Sequence, residues 1–137
     1  MKILLDTCVV IDFLQKREPF AQDAYNLFLA IAMNQVNGCI TAKAATDIYY
    51  LSHRFTHSDK ESRQMLGKIL SLVELLDTKA DNIFQALVSA TSDFEDAVMI
   101  ETAKSNHVEA IVTRNTKDYS KASMSVYTPA EFLKILK

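Results

Sequence analysis

Short apolar runs separated by amphipathic stretches form the basic pattern of this chain. The first run, Ile3-Leu4-Leu5, has apolar side chains at three consecutive positions and is closed by Asp6. An unbroken run of this kind predicts a strand buried on both faces, as in a parallel sheet covered by helices. Similar short runs lie at residues 39–41, 73–76, 110–113 and 125–127. The pattern therefore predicts four to five strands.

The stretches between these runs show the spacing of three and four residues that is typical of helices. Residues 20–31 illustrate it, with apolar side chains at Ala24, Leu27, Phe28 and Ile31. Further helices are predicted at residues 9–14, at 43–55, after Ser58, around 83–88, from Ser92 to about 105, and after Thr128.

Three of the predicted helix starts carry the capping-box sequence, in which Ser or Thr is followed three residues later by Glu. The pairs are Ser58 with Glu61, Ser92 with Glu95, and Thr128 with Glu131. Pro19 and Pro129 also fit helix starts, where a missing N–H costs little. Because strands alternate with helices throughout, we predict one α/β domain over residues 1–137. Its expected form is a three-layer α/β/α sandwich with a mostly parallel sheet of four to five strands.

Composition narrows the class of protein. Hydrophobic residues make up 49% of the chain, yet none of its apolar runs is long enough to cross a bilayer. We therefore expect a cytoplasmic protein without membrane contact, whose cysteines, Cys8 and Cys39, are reduced. With only two glycines the chain cannot build a glycine-rich phosphate loop, which excludes P-loop and dinucleotide-binding proteins. The net charge of −2 argues against a general nucleic-acid binder, unless a metal ion neutralises several carboxylates.

Several aspartates fall at the ends of predicted elements. Asp6 ends the first strand and Asp118 lies just beyond the fourth. Asp93 and Asp96 lie three residues apart at a helix start, so they project from the same face. Asp47 interrupts an apolar helix face after the second strand. Because ligands of open parallel sheets bind at the carboxyl ends of the strands, we expect several of these side chains to converge there.

Four or five like charges in one pocket require either raised pKa values or a cation. These segments offer only oxygen donors, so the expected cation is a hard one, Mg²⁺ or Mn²⁺. Such an ion suits phosphodiester hydrolysis, because it lowers the pKa of an attacking water and stabilises the charge of the transition state.

Each acid also has an ordinary structural explanation. Asp6 fits an N-cap, and Asp93 would complement a helix macrodipole. Asp118 fits a surface turn with Asn115, and Glu95 is expected to complete its capping box instead of binding a ligand. The three histidines lie in polar stretches and are expected to be solvated. It is the combination of acidic positions that points to a site.

Four segments carry a resemblance to a known family. They are Asp6-Thr7, Asp47-Ile48-Tyr49-Tyr50-Leu51, Asp93-Phe94-Glu95-Asp96-Ala97 and the run VTRNTKDY at residues 112–119. In order and spacing the chain resembles PIN-domain ribonucleases over nearly its whole length. It is most similar to the compact bacterial single-domain proteins that act as toxins of toxin–antitoxin pairs. The resemblance implies an endoribonuclease that needs Mg²⁺ or Mn²⁺, with RNA as substrate, an antitoxin protein as partner and a homodimeric assembly.

The resemblance also assigns roles by position. It makes Asp6, Asp47 and Asp96 the main metal-binding and catalytic carboxylates. Asp118, together with Asn115, is expected to supply the fourth polar corner, as a further catalytic residue and metal ligand.

Supporting roles follow in the same way. Asp93 would be a further metal ligand beside Asp96, while Thr7 and Thr113 would hold the carboxylates by hydrogen bonds. The chain departs from the family's usual pattern in having Asp47 where Glu is commoner and Cys8 where Asn is frequent. The basic residues near these segments are expected to contribute to an RNA-binding rim: Arg17, Lys43, Arg54 and Arg114.

Two other functions remain open from the sequence. A phospho-receiver domain would use Asp77, after the third strand, as its phosphoacceptor, but it would leave Asp47, Asp96 and Asp118 unexplained. A non-catalytic PIN-like module that binds RNA or protein would tolerate loss of the acidic residues, all of which are present here.

Overall fold

Five parallel strands form the centre of the protein. The computed structural model describes residues 1–136. Its strands are β1 (Lys2–Leu5), β2 (Asn37–Thr41), β3 (Glu74–Leu76), β4 (Ala110–Val112) and β5 (Ser125–Tyr127). Its helices are α1 (Thr7–Leu14), α2 (Ala21–Ala32), α3 (Ala42–Thr56), α4 (Asp59–Leu70), α5 (Ala80–Leu87), α6 (Phe94–Ser105) and α7 (Pro129–Ile135). A 3₁₀ turn, Thr116–Tyr119, lies between β4 and β5.

The strands are apolar on both faces because helices cover both faces. On β1, Ile3 and Leu5 join a core with residues of α1, α2, α3 and α7, while Leu4 points to the opposite face and packs with Ile100 and Ala103 of α6. The three β1 side chains are fully buried, which stabilises the fold by roughly 2 kcal/mol each. The α/β/α sandwich predicted from the sequence is confirmed.

The strand order places β1 at the middle of the sheet. Across the sheet the order is β3-β2-β1-β4-β5, and each neighbouring pair is parallel. The chain moves outward from β1 to β3, then returns to the other side of β1 for β4. Ligands of such sheets bind where the strand order reverses, here beside the carboxyl end of β1. The residue at that end is Asp6.

This order also bears on the phospho-receiver alternative. Receiver domains place their strands in the order 2-1-3-4-5, which differs from the order here. Asp77 follows β3, which is an edge strand of this sheet, and lies away from the reversal point. The receiver interpretation is therefore wrong for this fold.

Most helix starts lie within two residues of their predicted positions, and α5 begins at Ala80 instead of near residue 83. Thr128 and Glu131 form the predicted capping box of α7, with Pro129 as its first residue. By contrast, α2 begins at Ala21, two residues after Pro19.

No helix among residues 1–136 is long and apolar enough to span a membrane.

The start of α6 corrects a prediction that matters for the site. Asp93, and not Ser92, is the N-cap residue, and its carboxylate accepts a hydrogen bond from the backbone N–H of Asp96 at 3.0 Å. An ionised carboxylate is stabilised by the positive end of a helix more strongly than a neutral hydroxyl is. The shift leaves Glu95 outside the predicted capping box, and its carboxylate instead accepts a hydrogen bond from Lys43.

Candidate active site

Asp6 is fixed at the end of β1 by hydrogen bonds to both of its carboxylate oxygens. The backbone N–H of Thr7 donates to Oδ1 at 2.8 Å, and the hydroxyl of Thr113, which follows β4, donates to Oδ2 at 2.7 Å. The Thr113 hydroxyl in turn accepts from the backbone N–H of Asn115 at 3.0 Å. Thr113 thus contacts Asp6 through its hydroxyl, whereas Thr7 contacts it through its backbone amide and not through its hydroxyl. The supporting roles of both residues stay predictions.

Asp6 is also the N-cap residue of α1. The N-cap role of Asp6 and its place in the candidate site are therefore compatible, although from the sequence alone they were alternatives. Cys8 lies beside it, with Sγ 3.8 Å from the Oδ2 atom of Asp6 and 3.9 Å from the hydroxyl of Thr113. Burial, followed by the charge of Asp6, raises the pKa of this thiol, so it stays protonated.

Asp96 faces Asp6 from the first turn of α6. Its side chain is partly buried, and its pKa is raised to about 6. Burial is the largest cause, and the charges of Asp93, Asp118 and Asp6 follow. The charges of these three acids therefore act on Asp96, and the convergence on one metal ion stays a prediction.

Asp47 is already neutralised by a residue of the protein. Lys43 Nζ lies 2.6 Å from Asp47 Oδ2 on the same face of α3 and 3.3 Å from Glu95 Oε2 of α6. The hydrogen bond to Asp47 is the largest cause of the raised pKa of Lys43, so the side chain stays an ammonium ion. The ammonium links α3 to α6 across the opening of the site.

One cavity of about 190 Å³ collects the principal acids. Asp6, Asp47 and Asp96 all line it, together with Lys43, Glu95 and Tyr119.

Two other predicted ligands lie at its edge. Asp93 and Asp118 do not line the cavity, although their charges act on Asp96. Both are exposed, as is Asn115, which takes part through its backbone amide. The cavity therefore unites three of the five predicted metal ligands.

The donor set of this cavity suits a hard divalent cation. Carboxylate and hydroxyl oxygens are the main donors around Asp6 and Asp96, since the nearby Cys8 is a protonated thiol, and the charge of Asp6 acting on Asp96 favours a cation between them. Within residues 1–136, no three His, Cys, Asp or Glu side chains are close enough together to ligate one ion. Mg²⁺ commonly takes only one or two carboxylates and completes its shell with water and phosphate oxygens, so the residues fit such an ion. The five-carboxylate ligand set stays a prediction.

The predicted basic rim divides into two groups. Arg17 and Arg114 donate to opposite oxygens of Asp12, at 2.8 and 2.6 Å, and Asp12 is only 1% exposed. The Arg114 guanidinium also stacks on the ring of Phe20, 4.0 Å from its centroid. Arg114 therefore anchors the segment after β4 to Asp12, and Arg17 binds the same carboxylate from the loop after α1. The RNA-binding role of both arginines stays a prediction. Arg54 is exposed in the last turn of α3.

Three features of the site were not predicted from the sequence: the burial of Tyr119, the pairing of Lys43 with Asp47, and the contact of Glu95 with Lys43. Tyr119 is buried in the cavity wall, and burial together with the charges of Asp6 and Asp96 raises its pKa far above the usual range. The Lys43–Asp47 pair had a signal in its i, i+4 spacing on a predicted helix. The sequence predicts no role for Glu95 in the site, because its position fits a capping box with Ser92, and that capping box does not form.

A family model described as PIN domain matches residues 2–117. This chain belongs to the PIN domain family. The acidic cavity at the end of β1 is therefore the candidate active site of a PIN domain.

Solved structures support the same fold. VapBC from Salmonella typhimurium, bound to DNA, has a TM-score of 0.71 and 16% identity, over 94% of this chain and 98% of that one. VapBC2 from Rickettsia felis, bound to a DNA fragment from its promoter, has a TM-score of 0.69 and 18% identity, over 92% and 97%. VapC20 from Mycobacterium tuberculosis, a Sarcin-Ricin loop cleaving toxin, has a TM-score of 0.63 and 15% identity, over 80% and 86%. No curated protein sequence is similar enough to count as a match.

The raised pKa of Asp96 predicts a pH-dependent stability of this PIN domain. Because the folded-state pKa of about 6 exceeds the ordinary 3.8, the neutral acid contributes stability below about pH 4, and this contribution is lost as the pH rises through 6. With allowance for solvent screening, Asp96→Asn should raise the free energy of unfolding by about 1–2 kcal/mol near pH 7.5 in EDTA.

Urea denaturation measures this effect, with Asp77→Asn as the matched control, since Asp77 is exposed and lies outside the cavity. The gain for Asp96→Asn should disappear near pH 4. An equal gain for both variants, or a gain that does not change with pH, would contradict the placement of Asp96 among repelling charges.

Proposed function

We propose that this PIN domain is a divalent-metal-dependent endoribonuclease that hydrolyses phosphodiester bonds of RNA, and that it is the toxin of a toxin–antitoxin pair. The observation that carries the proposal is the shared cavity of Asp6, Asp47 and Asp96 where the strand order reverses. An arrangement of oxygen donors that repel one another is suited to Mg²⁺ or Mn²⁺. Such an ion, when bound, would lower the pKa of an attacking water and offset charge on the phosphate.

The residues of the chain would prepare the site before RNA arrives. Two hydrogen bonds hold Asp6 in one orientation. The Thr113 hydroxyl donates to its Oδ2 atom, and the Thr7 amide donates to its Oδ1 atom. Asp96 is positioned by the first turn of α6, whose start is fixed by Asp93. Asp6 and Asp96 are therefore the acids that we assign to metal binding. Asp47 would join them when Lys43 moves aside.

Lys43 at the cavity, and Arg54 at the far end of the same helix, suit a polyanionic substrate. Lys43 lies at the opening, and Arg54 extends from the same helix into solvent. When a phosphate approaches, Lys43 can exchange its carboxylate partners for phosphate oxygens, so it would contribute to RNA binding as well as to neutralising Asp47. These contacts carry no base information, and the choice of RNA must come from elsewhere.

The proposal of an antitoxin partner rests on the relatives named above, which include toxin–antitoxin complexes. Exposed apolar side chains give it physical support. Phe84, Leu87 and Val88, at the end of α5, are 66%, 65% and 83% exposed. Neighbouring apolar groups of this size are typical of protein interaction surfaces. We propose that they serve a protein contact, either in a homodimer or with the antitoxin.

Cleavage of single-stranded RNA with Mg²⁺ or Mn²⁺ tests the enzymatic proposal. The natural protein should cleave, and EDTA should abolish cleavage. Asp6→Asn and Asp96→Asn should each lower the rate by about 10²-fold or more, since each removes a charge from the reacting centre. Thr113→Val, which removes a hydrogen bond to Asp6, should cost about 10- to 100-fold.

Asp77→Asn, outside the cavity, is the control and should cleave like the natural protein. Equal cleavage by the natural protein, Asp6→Asn and Asp96→Asn would contradict the assignment. Binding of RNA without cleavage under any divalent-ion condition would instead indicate a non-catalytic PIN-like module.

The ammonium of Lys43 leads to a separate prediction about metal affinity. Lys43→Met keeps an apolar stem of similar length and removes the charge that competes for Asp47. Two unit charges 4 Å apart interact by about 1 kcal/mol even at the dielectric constant of water, so Mn²⁺ should bind about fivefold more tightly or better. Titration calorimetry measures this, with Lys60→Met on the exposed face of α4 as control. Unchanged or weaker Mn²⁺ binding by Lys43→Met would show that Lys43 does not compete with the ion.

A further inference from the structure

The cavity that holds the acids continues into an apolar region between α5 and α6. Ile83 of α5 and Phe94, Val98 and Met99 of α6 form this wall. Ile83 is 37% exposed and Phe94 is 46% exposed, so neither side chain is used to fill the core. The acidic and apolar regions are parts of one continuous cavity.

Two members of this wall, Phe94 and Val98, are separate from the part of α6 that holds the helix to the sheet, whereas Met99 also packs against the core there. The buried residues of α6 are Ala97, Ile100, Thr102 and Ala103. Phe94 and Val98, four residues apart, lie on another side of the helix and line the cavity. The packing of α6 is therefore complete without them, and their exposure to the cavity needs another explanation.

Hydroxyl groups lie next to the apolar side chains. Thr78, after β3, and Thr102 of α6 line the cavity, and their Oγ1 atoms are 2.9 Å apart. Thr102 is fully buried, so the half-buried Thr78 is the residue whose hydroxyl can meet a ligand. The apolar region thus offers contact surface together with one hydroxyl group that can form a hydrogen bond.

We propose that this region is a subsite for one unstacked nucleobase of the bound RNA, with Phe94 as the stacking partner. The inference rests on the proposed function, because it requires RNA at the acidic centre. Phe94 and Asp96 belong to the same turn of α6, about 3 Å apart along the helix axis. Their side chains leave the helix in different directions, and both line the same cavity. In this proposal an RNA whose phosphate lies at Asp96 places a neighbouring base against Phe94.

A nucleobase is favoured over an apolar protein side chain by continuity and chemistry. The apolar side chains and the acids line one cavity, so an occupant of the region lies beside whatever occupies the reacting centre. Proteins that read single-stranded RNA stack splayed bases on aromatic rings and bond their edges to polar groups. Phe94 and the Thr78–Thr102 pair supply these two elements.

Short single-stranded RNAs that carry 2-aminopurine at one position at a time would test the subsite. The chain contains no tryptophan, so protein fluorescence interferes little with the probe. Binding is measured with Asp6→Asn protein, which should not turn the RNA over. We expect strong quenching at a single position, and Phe94→Ala should weaken binding by about 5- to 150-fold, the range for removal of one base–aromatic stack.

Two controls separate stacking from a change in folding. Phe94→Tyr should restore binding to within about threefold, and Phe55→Ala should bind normally, since Phe55 is exposed but does not line the cavity. An RNA that is abasic at the quenched position tests the subsite with no change in the Phe94 ring. The parent protein should bind the abasic RNA more weakly than the intact RNA, by the same factor that Phe94→Ala costs. The Phe94→Ala protein should bind the abasic and intact RNAs equally.

Equal affinity of parent and Phe94→Ala for the RNA, or equal affinity for abasic and intact RNA, would overturn the proposal and favour a protein side chain as occupant. Failure of the proposed function is distinguishable. If the natural protein cleaves RNA while Phe94→Ala binds and cleaves normally, only the base subsite is wrong. If quenching follows Phe94 but no RNA is cleaved, the subsite stands and the enzymatic proposal fails.

Discussion

Repulsion among carboxylates is the physical constraint on which the rest of this structure depends. The fold brings Asp6 from β1 and Asp96 from α6 to one place, and the charges of Asp93 and Asp118 add to theirs. Burial of Asp96 and, after it, these neighbouring charges raise its pKa. Such an arrangement costs stability in a folded protein, so it persists only where a cation, or a ligand that brings one, uses it.

The surrounding structure resists this repulsion at two points. On one side, Asp12 fixes Arg114, and the residue before Arg114, Thr113, holds Asp6. On the other side, Lys43 binds Asp47 and Glu95 and so keeps α3 close to α6. Asp12 with its two arginines, and Lys43 with its two carboxylate partners, therefore have the same effect. Each holds in place a segment that carries an acid of the site.

Much of the fold was predictable because its signals are local. The apolar run before Asp6 and the capping box at Thr128 depend on neighbouring residues only, and both appear as expected. The convergence of the acids followed from a general property of parallel sheets. The N-cap of α6 was missed because Ser92 and Asp93 are both good caps, and the choice between them depends on charge at the helix end. The pairing of Asp12 with arginines from two distant segments, and of Lys43 with Glu95, depends on tertiary contacts that a single sequence does not encode.

The position of a bound cation tests the central claim most directly. Crystals of the natural protein grown with Mn²⁺ would show the ion by its anomalous scattering. The account predicts a strong peak within direct bonding distance of Asp6 and Asp96, with Lys43 displaced from Asp47 wherever Asp47 joins the coordination. A peak at any other place, with Asp6 and Asp96 free of metal at saturating Mn²⁺, would contradict it.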